Sequence, residues 1–261
     1  MALFVHETGP TEAPAIVFLH GVGVSGWMWN RQIAALPEYR CLNVDLPGHG
    51  RSNQVPWRSL ADTADQIAYL IADLVPRRRA HVVGLSLGGQ VVLVLLERSP
   101  EVVDHALVSG VTAAPMPNRS WLRPQLWLTS AVMKRGWFAR QQAKSLGFGP
   151  SEQAALAASL EAMSMEAYRR IMEEVVDYMA PAALGKVPVP TLVTAGGNES
   201  QIILDAVEAI PRLMPNAQGC LAPGLNHGWN VEAPDLFTAM IRAWITDAPL
   251  PGRLQVTSSH P

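Results

Sequence analysis

Apolar residues in the first half of the chain come in short runs separated by amphipathic stretches, a pattern that predicts strands alternating with helices. Residues 15–20 (AIVFLH) read as a buried strand ended by Gly21, and residues 40–46 (RCLNVDL) as a second, stopped by Pro47 and Gly48. Within 60–75, Ile67, Leu70, Ile71 and Leu74 fall at i, i+3, i+4 and i+7, one face of a helix that Pro76 ends. Residues 80–85 are a third strand, 87–98 a helix apolar enough to lie deep in the core, and 106–109 a fourth strand. Such alternation builds a parallel sheet covered on both faces.

The pattern breaks near Ala113. From Pro115 to about Lys186 no buried strand is readable, and the stretch holds Trp121, Trp127, Trp137, Phe138, Phe148, Met163, Met165, Tyr168 and Met172. Ser151 followed by Glu152 reads as a helix cap with an acidic first turn. A helical insertion over 113–186 is expected, splitting the core into 1–112 and 187–248. Strand-like sequence resumes at 190–195 (PTLVTA), followed by a helix over 201–213, a strand near 219–222 and a last helix over 234–245. Residues 249–261 are polar and Pro-flanked and read as a loose tail. No repeat of 20–50 residues is visible.

Composition narrows the class. With 261 residues, 49% hydrophobic and 16% charged, one α/β domain with an insertion has ample core and disorder is excluded. A net charge of −2 gives no reason to expect nucleic acid or an anionic membrane as partner. Arg77, Arg78 and Arg79 form the only tight basic run and read as a solvated loop. Cys41 and Cys220, the only cysteines, make neither a disulfide scaffold nor a redox or zinc motif. Residues 1–10 lack the basic start and apolar stretch of a secretory leader. The most apolar stretch, 82–96, is too short and too interrupted to span a bilayer. A cytoplasmic protein acting on a small molecule, without metal or cofactor, is the expectation; the sequence gives no oligomeric state.

Candidate chemistry sits where the elements meet. Gly84-Leu85-Ser86-Leu87-Gly88 fits G-x-S-x-G between a buried strand and a helix, the context in which a tight turn lifts a serine hydroxyl above the strand ends. His20-Gly21-Val22-Gly23 follows the first strand and can aim the Val22 N–H at the oxyanion that the Leu87 N–H reaches. His20 itself reads as a brace for that loop rather than as a base.

These segments, with Trp29, with Asp45-Leu46-Pro47-Gly48-His49-Gly50-Arg51-Ser52 and with Asn226-His227-Gly228, resemble the α/β-hydrolase superfamily, in its cap-containing serine hydrolase and esterase branch. The likeness runs over about 230 residues, nearly everything but the tail. It implies a mostly parallel eight-stranded sheet flanked by helices, with a helical cap inserted after the sixth strand. It also implies that the Asp45–Ser52 loop, Asp45 and His49 included, is structural, and that Trp29 is a packing residue.

The base position of the family falls on His227, which keeps the order Ser, acid, His; His6, His81, His105 and His260 read as surface or packing residues. The resemblance expects a carboxylate after the seventh strand, usually Asp in a G-x-x-D turn. Here Gly196-Gly197-Asn198-Glu199 puts Glu at that place, with Asp205 as second candidate; Glu232, in Glu232-Ala233-Pro234, reads as structural. Ser86 excludes the Asp-nucleophile branch of dehalogenases and epoxide hydrolases. Trp27, Trp121, Trp127, Trp137 and Trp229 are the substrate-lining candidates, and they favour an uncharged, moderately hydrophobic substrate. Hydrolysis of a small to medium carboxylic ester is the first reading. A C–C bond hydrolase, lactonase or perhydrolase on the same residues, a low-turnover ligand-binding protein and a partner-binding protein are the alternatives.

Overall fold

A computed structural model describes residues 2–257; His260 lies outside them. The strands among these residues are β1 (Val5–Thr8), β2 (Ala15–Leu19), β3 (Arg40–Val44), β4 (Ala80–Leu85), β5 (Val103–Ser109), β6 (Thr191–Gly196), β7 (Ala217–Ala222) and β8 (Gln255–Val256). They form one sheet in the order β1-β3-β2-β4-β5-β6-β7-β8. Only the two edge strands run antiparallel, β1 to β3 and β8 to β7. β2, β3, β4 and β6 are buried at every position, as strands sandwiched between helical layers must be.

The helices are α1 (Asn30–Ala34), α2 (Leu60–Leu74), α3 (Leu87–Arg98), α4 (Arg119–Val132), α5 (Gly136–Leu146), α6 (Pro150–Ala162), α7 (Met165–Asp177), α8 (Gln201–Leu213), α9 (Trp229–Glu232) and α10 (Pro234–Ile245). α3 is buried from Leu87 through Leu96, and each of its fully enclosed aliphatic side chains contributes about 1.5–3 kcal/mol. α2 opens on Ser59, whose hydroxyl accepts the Asp62 N–H at 3.0 Å.

Strand order reverses beside β2: the chain steps outward to β3, then back across β2 to β4. A crevice opens at such a reversal, beyond the carboxyl ends of the two strands. Those ends carry His20–Gly23 and Ser86.

Three expectations need correction. The helices α4–α7 follow the fifth strand in chain order, not the sixth, because only β1 precedes β2 and the eighth strand comes from the far end of the chain. The residues read as a loose tail supply that strand: β8 pairs with β7, Thr257 N–H donates to Gly219 O at 2.9 Å, and Leu254 is buried. α6 starts at Pro150, ahead of Ser151, whose hydroxyl turns to the Glu152 carboxylate instead of capping. β1 escaped the sequence reading because VHET, on a half-exposed edge, carries no apolar run.

Candidate active site

Ser86 joins β4 to α3 with φ at 55°, a left-handed conformation that a serine rarely adopts. Neighbouring structure over-determines it. Its N–H donates to Ser109 O at 2.7 Å, its carbonyl accepts Gln90 N–H at 3.0 Å, and a Cβ on Gly88 would collide with the carbonyl oxygen of Leu19. The consequence is selective exposure. From Ala80 to Leu96, Ser86 alone is not buried.

The loop after β2 lies against this turn. A Cβ on Gly21 would come 3.5 Å from Ser86 Cβ. His20 holds the loop: its Nε2 accepts the Leu46 N–H at 3.0 Å, which leaves the ring proton on Nδ1 to donate to Gly21 O at 2.8 Å. Burial pushes its pKa down to about 4 against the opposing effect of the Gly21 bond, so the ring stays neutral with both nitrogens engaged. That makes His20 a brace and not a base. Asp45 is likewise occupied, accepting Gly26 N–H at 2.7 Å and Arg51 N–H at 2.8 Å. His49 packs edge-on to His20 at 4.9 Å, and burial, then the neighbouring His20, pushes its pKa down to about 3.

His227 and Glu199 come together from the loops after β7 and β6. The His227 Nδ1 is hydrogen-bonded to Glu199 Oε2, while Glu199 Oε1 accepts the Gly196 N–H at 3.1 Å. The longer glutamate side chain thus curls back on its own turn, and both carboxylate oxygens are held. Burial alone would lower the His227 pKa, but the Glu199 charge and hydrogen bond outweigh it and raise the pKa above the ordinary histidine value. Gly110, with φ at 66°, walls the pair: a Cβ there would stand 2.6 Å from His227 Cε1. Asp205 bonds to Gln201 on exposed α8 and takes no part. Asn198 N–H donates to Leu225 O at 3.0 Å, tying the two loops. Glu232 accepts the Asn226 N–H at 2.9 Å and so fixes the residue before His227.

The tryptophans divide. Trp27 stands at the seam between the core and the helical segment, its indole N–H donating to Ser159 Oγ of α6 at 2.9 Å and its ring edge meeting Phe148 at 5.8 Å. Trp229 is fully buried; its N–H donates to Ser109 Oγ at 3.0 Å and anchors the chain two residues after His227. Trp121, Trp127 and Trp137 are exposed. α4 buries Leu126 and Ser130, and α5 buries Phe138, Ala139 and Ala143, which turns those indoles to the opposite faces. Sequence reasoning missed Ser109 and Gly110 at the end of β5, and Leu146, whose carbonyl accepts Gly228 N–H at 3.1 Å. The glycine at 110, directly after a strand, gave a local signal; Leu146 gave none, because the contact spans 82 residues of chain.

Among the described residues, no group of three or more His, Cys, Asp or Glu side chains is placed to hold a metal ion. A family model described as the alpha/beta hydrolase family matches residues 16–240. The chain belongs to that family. As a member it is similar to an AB hydrolase superfamily protein of Gibberella zeae, 27% identical over 251 residues, 93% of this chain and 83% of that one. It is similar to carboxylesterase YbfK of Bacillus subtilis, 25% identical over 248 residues, 91% of this chain and 82% of that one. The solved structure of a thermophilic esterase from Thermogutta terrifontis superposes with a TM-score of 0.80 at 21% identity, over 94% of this chain and 93% of the other. The family and its esterase members make this chain a hydrolase.

Proposed function

We propose that this hydrolase cleaves carboxylic esters through an acyl-enzyme on Ser86. The carrying observation is the His227–Glu199 pair, held on both carboxylate oxygens and backed by Gly110, beside a serine that alone reaches the surface from a buried stretch. His227 with its proton on Nδ1 keeps Nε2 free to accept the Ser86 hydroxyl proton. The Ser86 Oγ–carbon bond forms as the carbonyl oxygen takes the negative charge, and the N–H groups of Val22 and Leu87 stabilise that oxyanion. The proton on Nε2 then passes to the departing alkoxide as the ester C–O bond breaks. Water, deprotonated by the same imidazole, releases the acid and restores Ser86. Glu199 stabilises the imidazolium in both halves.

The helices α4–α7 act as a cap on this reading, with Trp27 bonded to Ser159 of α6 at the seam. The substrate on this reading is a small to medium, largely apolar ester. The likeness to a carboxylesterase supports the bond class. A lactone is a cyclic ester open to the same attack, so lactones belong in the same screen.

The test is hydrolysis of aryl esters of increasing acyl length and of simple lactones by the wild type and by Ser86→Ala. Turnover that survives unchanged in Ser86→Ala would sink the mechanism. Turnover confined to lactones would keep the serine and change the substrate.

A further inference from the structure

The charges of this chain are segregated. Residues 105–151 hold six of the twenty basic residues, Arg119, Arg123, Lys134, Arg135, Arg140 and Lys144, and none of the twenty-two acidic ones. The near-neutral total conceals this, because the rest of the chain carries the acidic surplus. Arg119 lies 3.5 Å from Asp177, and Lys134 donates to Glu161 O at 2.8 Å. Arg140 and Lys144 are exposed on α5, one turn apart and on the same face as Trp137.

The same two consecutive helices expose large apolar side chains. On α4, Trp121 is 77% exposed, Leu128 62% and Trp127 60%; on α5, Trp137 is 55% exposed. With Pro124 and Ala131, also exposed, the α4 residues cover the face opposite its buried side. Scattered exposed apolar residues need no explanation, but four large ones on two consecutive helices are the kind of exposure that marks an interaction surface.

We propose that the outward faces of α4 and α5 dock on an anionic lipid surface, with Trp121, Trp127, Leu128 and Trp137 entering the headgroup boundary and Arg140 and Lys144 meeting anionic headgroups. Indoles favour that boundary, and each basic side chain near it adds about 1 kcal/mol of attraction. Contact is peripheral, because among the described residues no helix is long and apolar enough to cross a membrane. A second copy fits the face less well: a twofold contact sets the same patch against itself and brings Arg140 and Lys144 toward the same cations of the other copy. Nucleic acid would match the charge but not the aliphatic part of the face, Leu128, Pro124 and Ala131, which offers nothing for a base to stack on. The acidic remainder of the chain is repelled by the same lipid, which fixes the orientation. α5 also ends at Leu146, bonded to Gly228, so the docking face and the His227 loop share one helix. None of this depends on the chemistry assigned to Ser86, since binding is read without turnover.

The experiment is sedimentation of the full chain with phosphatidylcholine vesicles and with vesicles in which about one-third of the lipid is phosphatidylglycerol, at about 0.1 M salt. Binding at least about tenfold stronger to the anionic vesicles, and weakened by added salt, is expected. Arg140→Glu with Lys144→Glu, and separately Trp121→Ser with Trp127→Ser, each weaken it about tenfold without lowering Tm. Quenching of wild-type tryptophan fluorescence by lipids brominated on the acyl chain is expected alongside, and it needs no variant to fold. Equal weak binding to both vesicles overturns the proposal, as does binding that ignores both pairs of substitutions. A concentration-dependent dimer that the tryptophan substitutions abolish would assign the face to a second copy instead.

Discussion

The sheet core and the four helices between β5 and β6 keep their polar groups in different ways. Around the site, three titratable side chains of the core are each held at two points: His20 by Leu46 and Gly21, Asp45 by Gly26 and Arg51, Glu199 by Gly196 and His227. The helical segment touches the core through a few long-range bonds, Trp27 to Ser159, Trp57 to Glu174 and Gly228 to Leu146, and leaves its outer face to solvent. A preorganised site needs rigidity where charge develops. A segment packed on the core needs only a defined seam, which frees its outside for other contacts.

The sharpest way to break this comparison is within the core. Ser86→Ala removes the nucleophile and leaves the elbow intact, so ester turnover falls by about 10⁴-fold or more while Tm stays within a degree or two. Steady-state rates beside a thermal melt decide it; a parallel loss of stability would mean that the hydroxyl holds structure.

Glu199→Gln comes next. The amide keeps the size but loses the charge and misdirects the His227 tautomer, and turnover drops by about 10²–10⁴-fold, whereas Asp205→Asn changes little. The pH profile carries the mechanism. Wild-type activity requires neutral His227, so its acid limb lies above the ordinary histidine value, because Glu199 raises the pKa. In Glu199→Gln only burial remains, and the limb moves to lower pH. An unmoved limb would detach Glu199 from His227, whatever the rate.

Much of this was readable before the structure. Periodicity located the six inner strands, because a parallel strand buried on both faces must be a continuous apolar run. The turn at Ser86 was readable because Gly-x-Ser-x-Gly is a local steric solution, while Glu199 came from the family likeness, at the place of its G-x-x-D carboxylate. The tryptophans were not readable: an indole is equally at home in a core, a seam or a surface, and only the helical phase of Leu126, Ser130 and Phe138 separates Trp229 and Trp27 from Trp121, Trp127 and Trp137.

Acid stability separates the core's polar groups further. His20 and His49 are buried neutral, with pKa values pushed down to about 4 and about 3, chiefly by burial. Unfolded, each takes up a proton near pH 6.5, so their stability is complete above that pH and is lost as pH falls toward 4, by a few kcal/mol together. His227 works in the opposite direction: its pKa is raised, so its contribution is complete below pH 6.5 and fades as pH rises through the folded value. Urea unfolding between pH 4 and 8 should therefore show stability falling on the acid side, with His20→Gln flattening part of the slope. A slope unchanged in that variant would place the titrating groups elsewhere.

The seam offers the smallest effect and the most specific one. Glu174 of α7 accepts the Trp57 indole N–H at 2.9 Å on one oxygen and the Leu60 N–H at 2.8 Å on the other. Leu60 is the first residue of α2, where an N–H has no partner inside its own helix, so the helical segment supplies both an acceptor and a negative charge to a core helix N-terminus. Glu174→Ala leaves both donors without a protein acceptor and should cost about 1–3 kcal/mol, several degrees of Tm in a chain of this size. Glu174→Gln keeps one acceptor and should fall between the two. Trp127→Ala, on the outer face, should change stability by less than about 0.5 kcal/mol. If the outer-face variant melts as early as the seam variant, α4 is packed against something and the contrast between seam and surface fails. If Glu174→Ala melts like the wild type, the helical segment is held by its apolar contacts and these hydrogen bonds only set its register.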